Sequence, residues 1–418
     1  MFSRRAFVGR VAALGVAARF DGLRLFASAA PKIVVIGAGA FGSWTAFHLR
    51  RLGADVTLLD SWGPGNTRSS SGGETRVIRA IYGPDRTYVE MVKRAYEWWE
   101  QLDPSLYTET GALWMHRGDD AYVRSSLPVL HELGFAVDAL TVADAKKRWP
   151  QIDFSGVKSL YLERRAGALS ARRACGVVRD AFVKLGGAYR TAHVDAKTLR
   201  LESGEQLQAD HFVFACGPWL GKLFPDVLGE AIYPTRQEVF YFGTPRGTER
   251  YQPPQLPIWI DFGQRIIYGV PDLHGRGFKV ADDTRGDPVD PTSLERRASD
   301  EGLARARRLL RERFPELATA PLLASEVCQY ENSPDGDLII DRHPHAENIW
   351  FAGGGSGHGF KLSPTVGELA ALRILTGKEV PAMFRLERLP KVKKPATQFE
   401  KEGRLHQTQT PSGVLTEG

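Results

Sequence analysis

Residues 32–60 read "KIVVIGAGAFGSWTAFHLRRLGADVTLLD". An apolar run, Ile33–Ile36, meets Gly37. A helical pattern follows through Trp44, Phe47, His48 and Leu52, and Gly53 closes it. A second apolar run, Val56–Leu59, ends at Asp60. Strand, glycine turn, helix, strand is a βαβ unit. Gly37-x-Gly39-x-x-Gly42 stands at the strand-to-helix turn, where glycines let the backbone, with Ala40 and Phe41, approach a pyrophosphate on the helix N-terminus. Asp60 lies 18 positions after Gly42 and is placed to accept from ribose hydroxyls. An acid there disfavours NADP and leaves NAD and FAD open.

Outward from this unit, the composition is that of a globular protein. The 418 residues are 43% hydrophobic and 25% charged, long enough for two or three domains with a large core. Cys175, Cys216 and Cys328 are far apart. No CxxC pair exists, which excludes the common zinc and dithiol motifs, and the odd number argues against a disulfide framework. Residues 1–30 hold five arginines against Asp21, four of the six net positive charges. The basic balance is therefore not a nucleic-acid footprint. The same segment, "SRRAFVGRVAALGVAARF" with an A-x-A site at Ala27–Ala29, reads as a twin-arginine export signal. It implies handling by the Tat translocon and a periplasmic or secreted destination; without that signal the location would be cytoplasmic. No apolar run reaches membrane-spanning length, so no membrane span is expected.

Along the chain, 87–103 and 171–187 have helical period, 210–219 is a buried strand, and 231–280 alternates as strands. Residues 291–313 read as a charged helix, 348–354 as a buried strand and 363–375 as the last strong helix. The fold class is α/β: a GxGxxG-type, Rossmann-like FAD-binding domain plus a mixed-sheet α+β substrate domain. We assign 31–112, 163–229 and 326–390 to the first and 113–162 and 230–325 to the second. Residues 391–418 are polar and read as a flexible tail.

Two further stretches select FAD over NAD. "SSSGGETRVIRAIYG" (69–83) spaces Arg76 and Arg79 as one side of a helical turn. "GGGSGHGFKLSPTVGELAA" (353–371) is a strand end, a glycine-rich loop and a helix, aiming backbone N–H groups at an electron-rich ligand edge. That gives a second cofactor contact, through Gly357, His358, Gly359, Phe360 and Lys361, far from the first. "SEVCQYENSPDGDLIID" (325–341) puts Cys328 in a polar, turn-rich stretch.

Together with "FACGPW", "YPTRQEV" and "YGVPDLHGRGFK", these motifs resemble the monomeric sarcosine oxidase and N-methyl amino acid oxidase family, within the D-amino-acid-oxidase-like FAD-dependent oxidoreductases. The resemblance runs from about residue 32 to 390. It implies that Cys328 carries FAD covalently and that Lys279 lies near the flavin and activates O2. It implies that Arg76 packs on the flavin and that Arg79 and Lys361 hold a substrate carboxylate. Tyr268 and Tyr330 would line the cavity, and Thr75 and His358 would contact flavin or substrate. No metal is implied. Two family histidines are replaced, by Gly72 and Asp283, which points to a larger or more cationic substrate than sarcosine. The implied activity is oxidation of a secondary or N-methyl amino acid to an imine, with O2 reduced to hydrogen peroxide. The alternatives are a dehydrogenase feeding a quinone or carrier, an oxidase of glycine or D-amino acids, and a non-enzymatic FAD-binding protein.

Overall fold

A computed structural model describes residues 30–229, 231–391 and 397–399; the export signal read at 1–30 falls almost wholly outside them. Ile33, Val34, Val35 and Ile36 are all buried, as a central parallel strand covered on both faces must be. Lys32–Ile36 pairs in parallel with His211–Phe214 on one side and Asp55–Asp60 on the other. Ala188–Thr191, Ile349–Gly353 and the antiparallel Ile339–Arg342 complete a six-stranded sheet. Helices Ala40–Arg51 and Ser363–Thr376 pack on it, and Trp44 of the first meets Trp98 and Trp99 of the helix Arg86–Leu102 in one aromatic cluster.

A second, eight-stranded sheet runs in the order Leu322–Asn332, Tyr233–Phe242, Phe278–Asp282, Ile266–Val270, Ile258–Phe262, Ala112–His116, Ser159–Glu163, Val137–Leu140. It is antiparallel except where Ile258–Phe262 meets Ala112–His116. A short sheet of Thr75–Ile78, Gly167–Ser170 and Tyr107–Glu109 completes the frame.

Five expectations from the sequence are corrected. The boundary at 325/326 cuts a strand, because Leu322–Asn332 pairs with Tyr233–Phe242 along its length and stays in the second sheet. Cys328 therefore sits in a strand, opposite Gln237, and not in a turn. Arg76 lies on the strand Thr75–Ile78 and Arg79 just beyond it, so no helical turn brings them together; pairing with Gly167–Ser170 fixes that stretch as extended. The charged helix begins at Asp300, not 291, because Ser299 caps it by accepting from Gly302 N at 3.0 Å. Within the supposed tail, Gln398 and Phe399 are buried; 392–396 and 400–418 lie outside the described residues.

Candidate active site and cofactor groove

A groove of about 500 Å³ runs over the carboxyl ends of the central strands. Gly37, Gly39, Ala40, Phe41 and Asp60 line it on one side, and Gly357, Gly359 and Phe360 on the other. Gly37 adopts φ +105°, where a side chain is strained, and a Cβ there would stand 2.4 Å from Ala215 O. Gly42 is not in the wall. A Cβ on Gly42 would meet Gly37 O at 1.8 Å, so its bare backbone is what lets the helix start against the turn. The Asp60 carboxylate accepts from Ala38 N at 2.7 Å, Trp62 N at 2.8 Å and Gly63 N at 2.7 Å. These bonds pin the acid at the strand end, facing the groove. The helix Ala40–Arg51 turns its positive end toward the same space.

A cavity of about 60 Å³ adjoins the groove. Arg76, Tyr330, Gly357 and Phe360 line both spaces, so a ligand in one shares a wall with a ligand in the other. Two buried cations face the cavity. Arg79 is 5% exposed and Lys361 is 3% exposed. Both rest on one ring: the Arg79 Cζ is 4.9 Å and the Lys361 Nζ 5.1 Å from the Tyr82 centroid. Arg79 donates to Ile81 O and, at 3.0 Å, to Gln398 Oε1. Lys361 donates to His358 O at 3.1 Å. Burial, and then the neighbouring Arg79 charge, hold the Lys361 amine well below the ordinary lysine range. His358 is fixed between Tyr82 Oη at 3.0 Å and Gly336 O at 2.9 Å.

Asp283 is the carboxylate of this cavity. It accepts from Tyr330 Oη at 2.6 Å, and burial pushes its pKa up to about 6 despite that bond and the Arg79 charge. Tyr268 lines the cavity beside Tyr330. Lys279 and Thr75 line neither space. The Lys279 ammonium is held by Thr75 O at 3.1 Å and Thr75 Oγ1 at 3.3 Å, 5.5 Å from the Tyr268 ring centre. Burial first, then the Arg76 charge, lower its pKa to about 7. Cys328 is not among the lining residues either, but it touches Arg76, which lines both spaces. Its Sγ is 3.2 Å from Arg76 Nη2, which also donates to Ser70 O at 2.7 Å. Gly72 adds no room to the cavity, as a Cβ there would strike Asn66 O at 2.1 Å; its role is close backbone packing.

Comparison with known proteins identifies the cofactor class. The description "FAD dependent oxidoreductase" matches residues 32–373, most of the chain and all of the groove-forming segments. The chain belongs to this family. Within the FAD-dependent oxidoreductases it is similar to the monomeric sarcosine oxidase of Arthrobacter sp. (strain TE1826), 30% identical over 366 residues that cover 83% of this chain and 92% of that protein. It is 29% identical to the human peroxisomal sarcosine oxidase, covering 86% of this chain and 97% of that one. It is 27% identical to the N-methyl-L-tryptophan oxidase of Salmonella arizonae, covering 81% and 93%. Among solved structures, the L-proline dehydrogenase of P. horikoshii superposes with a TM-score of 0.75 at 21% identity, covering 87% of this chain and 98% of that chain. That likeness shows the fold alone.

The residues present fit FAD. The groove is walled by the dinucleotide turn at one end and the 355–360 loop at the other, and Asp60 faces it as the ribose acceptor of an FAD-dependent oxidoreductase would. Three residues missed by the sequence reading complete the walls. Glu331 accepts from Gly354 N at 2.8 Å, and burial pushes its pKa up to about 8. Its one signal in the sequence was its place next to Tyr330. Gln398 and Phe399 close the cavity; their one signal was that Phe399 is the only aromatic residue between 391 and 418.

Proposed function

We propose that this FAD-dependent oxidoreductase is an oxidase of secondary or N-methyl amino acids, producing an imine and hydrogen peroxide. One observation carries the reading: Arg79 and Lys361 are buried cations on one small cavity that shares Arg76, Tyr330, Gly357 and Phe360 with the cofactor groove. Buried, fixed cations suit a ligand carboxylate, and arginine can take it through two N–H groups. Asp283 supplies the opposite charge for the substrate nitrogen. A zwitterion thus finds an anion site and a cation site within one dry space. The names of the relatives, sarcosine oxidase and N-methyl-L-tryptophan oxidase, support the same substrate class.

In this reading, Arg79 and Lys361 anchor the carboxylate, Asp283 holds the amine, and Tyr268 and Tyr330 exclude water and orient the C–H bond. Asp283 first takes a proton from the substrate ammonium. The freed nitrogen lone pair forms the C=N bond as the C–H hydrogen leaves with its electron pair to the acceptor, and water hydrolyses the resulting iminium. When bound, FAD supplies the two-electron acceptor, and O2 carries the electrons away as hydrogen peroxide. Lys279 brings positive charge close to Arg76 and favours superoxide as O2 is reduced. Cys328 is the attachment point for covalent flavin, and residues 1–30 direct export through the Tat translocon.

The test is anaerobic titration of the purified, yellow protein with N-methyl and cyclic secondary amino acids. Bleaching by these, and not by glycine or D-alanine, is expected. Bleaching by no amine would overturn the reading. Oxygen uptake compared with reduction of an artificial acceptor separates an oxidase from a dehydrogenase.

A further inference from the structure

We propose that Gln398 and Phe399 are specificity-determining residues that form a wall of the substrate cavity and set both its size and its charge. The inference rests on the reading above of the cavity as the substrate site. Both side chains are only 5% exposed, and both line the cavity while neither lines the cofactor groove. They come from a stretch that is mostly polar.

Phe399 acts through volume. Its ring packs 5.0 Å from Tyr122 and 5.4 Å from Phe262, edge to face, and Arg79 lies 5.5 Å over it. The ring joins the core cluster that holds Ile260 and Ile266, which also line the cavity. With it in place only about 60 Å³ remains. Trimming it opens space directly beside the carboxylate anchor.

Gln398 acts through charge. Its Oε1 takes the Arg79 Nη2 at 3.0 Å, while Nη1 is held by Ile81 O. Both partners are neutral oxygens. They satisfy and aim the buried guanidinium without cancelling its charge, which stays available to a ligand carboxylate. A glutamate at 398 would have the same reach and would occupy the anchor with a carboxylate of its own.

The test uses the full-length holoenzyme and simple carboxylates, with binding read from perturbation of the oxidised flavin spectrum and from the thermal shift. Neither readout requires turnover. Acetate and 1-naphthoate are the small and bulky probes. Phe399→Ala should tighten 1-naphthoate about tenfold or more relative to acetate, the scale of a pocket gaining apolar contact. Phe399→Leu, which keeps apolar packing if the alanine variant fails to fold, should move the same way. Gln398→Glu should weaken acetate about tenfold or more, because two carboxylates then compete for one cation. An unchanged acetate-to-naphthoate preference in both Phe399 variants, or wild-type acetate affinity in Gln398→Glu, overturns the proposal. If the size preference shifts but no amine bleaches the flavin, this inference stands and the oxidase reading fails. If amines bleach it and the preference is fixed, the reverse holds.

Discussion

Substituting Asp283 by asparagine isolates the charge in the substrate cavity. The side chain keeps its shape and can still accept from the Tyr330 hydroxyl, now 2.6 Å away. What it loses is the negative charge proposed to meet the substrate nitrogen. A buried, charge-assisted hydrogen bond contributes about 1.5–3 kcal/mol, so affinity for a zwitterionic amino acid should fall roughly 10- to 150-fold. Affinity for a carboxylate with no ammonium group should hardly change. Acid should do to the wild type what the substitution does. With a pKa near 6, Asp283 is about nine-tenths ionised at pH 7 and about one-tenth at pH 5. Wild-type affinity for the amino acid should therefore fall about tenfold from its plateau by pH 5, and the variant should lack this limb.

The assay is spectral titration of the oxidised holoenzyme between pH 5 and 8, with proline as zwitterion and pyrrole-2-carboxylate as its non-cationic counterpart. Stability gives an internal check. Because the folded pKa is raised, Asp283 contributes stability that is present below the ordinary aspartate range and lost as pH rises through about 6. Asp283→Asn should thus gain on the wild type at pH 8 relative to pH 4, by on the order of 3 kcal/mol at most. An identical acid limb in both proteins, or an equal loss for both ligands, refutes the assignment of Asp283 to the amine.

Three other outcomes are expected. Acid precipitation should leave the yellow colour in the pellet for the wild type and release it from Cys328→Ser; colour in the wild-type supernatant removes the covalent link. Lys279→Met keeps the buried volume but deletes the charge held at Thr75, and stopped-flow should show reoxidation by O2 slowed far more than reduction by substrate; equal slowing in both half-reactions counts against its role. Gly42→Ala forces a Cβ to within 1.8 Å of Gly37 O, so it should cost about 3 kcal/mol or more and lower the flavin bound per chain; wild-type melting and flavin content would contradict the packing argument.

The parts of the site that were legible in the sequence are those whose chemistry is local. Gly37, Gly39, Gly42 and Asp60 belong to one βαβ unit, and a turn that must admit a pyrophosphate restricts its residues wherever it occurs. The strand containing Cys328 was hidden because its inner face is polar. Gln329, Glu331 and Asn332 are buried there, so the usual apolar alternation is missing and the stretch imitates a loop. Arg76 and Arg79 were misread for a related reason. A spacing of three fits a helix, but pairing with Gly167–Ser170 imposes an extended chain, and a partner nearly a hundred residues away leaves no local trace. Gln398 and Phe399 were invisible because burial of a short segment depends on the cavity that receives it.

The charges around the two spaces account for why the site needs so much scaffold. Arg76 with Arg79, Lys279 and Lys361 come from three separate stretches of the chain; Arg79, Lys279 and Lys361 are buried and Arg76 is half-buried, within each other's fields. Burial, and after it a neighbouring arginine charge, push the Lys279 and Lys361 amines down. Burying like charges together is unfavourable unless something repays it. Within the cavity Asp283 repays only part, since burial pushes its own pKa upward. The two arginines keep their charge, so the site is not fully satisfied until an anion enters. The carboxylate of an amino acid supplies that anion on the cavity side, and an electron-rich cofactor edge supplies it on the groove side. The shared wall at Arg76 lets one guanidinium face both, so binding in the cavity is coupled to the electrostatics of the groove without any moving part.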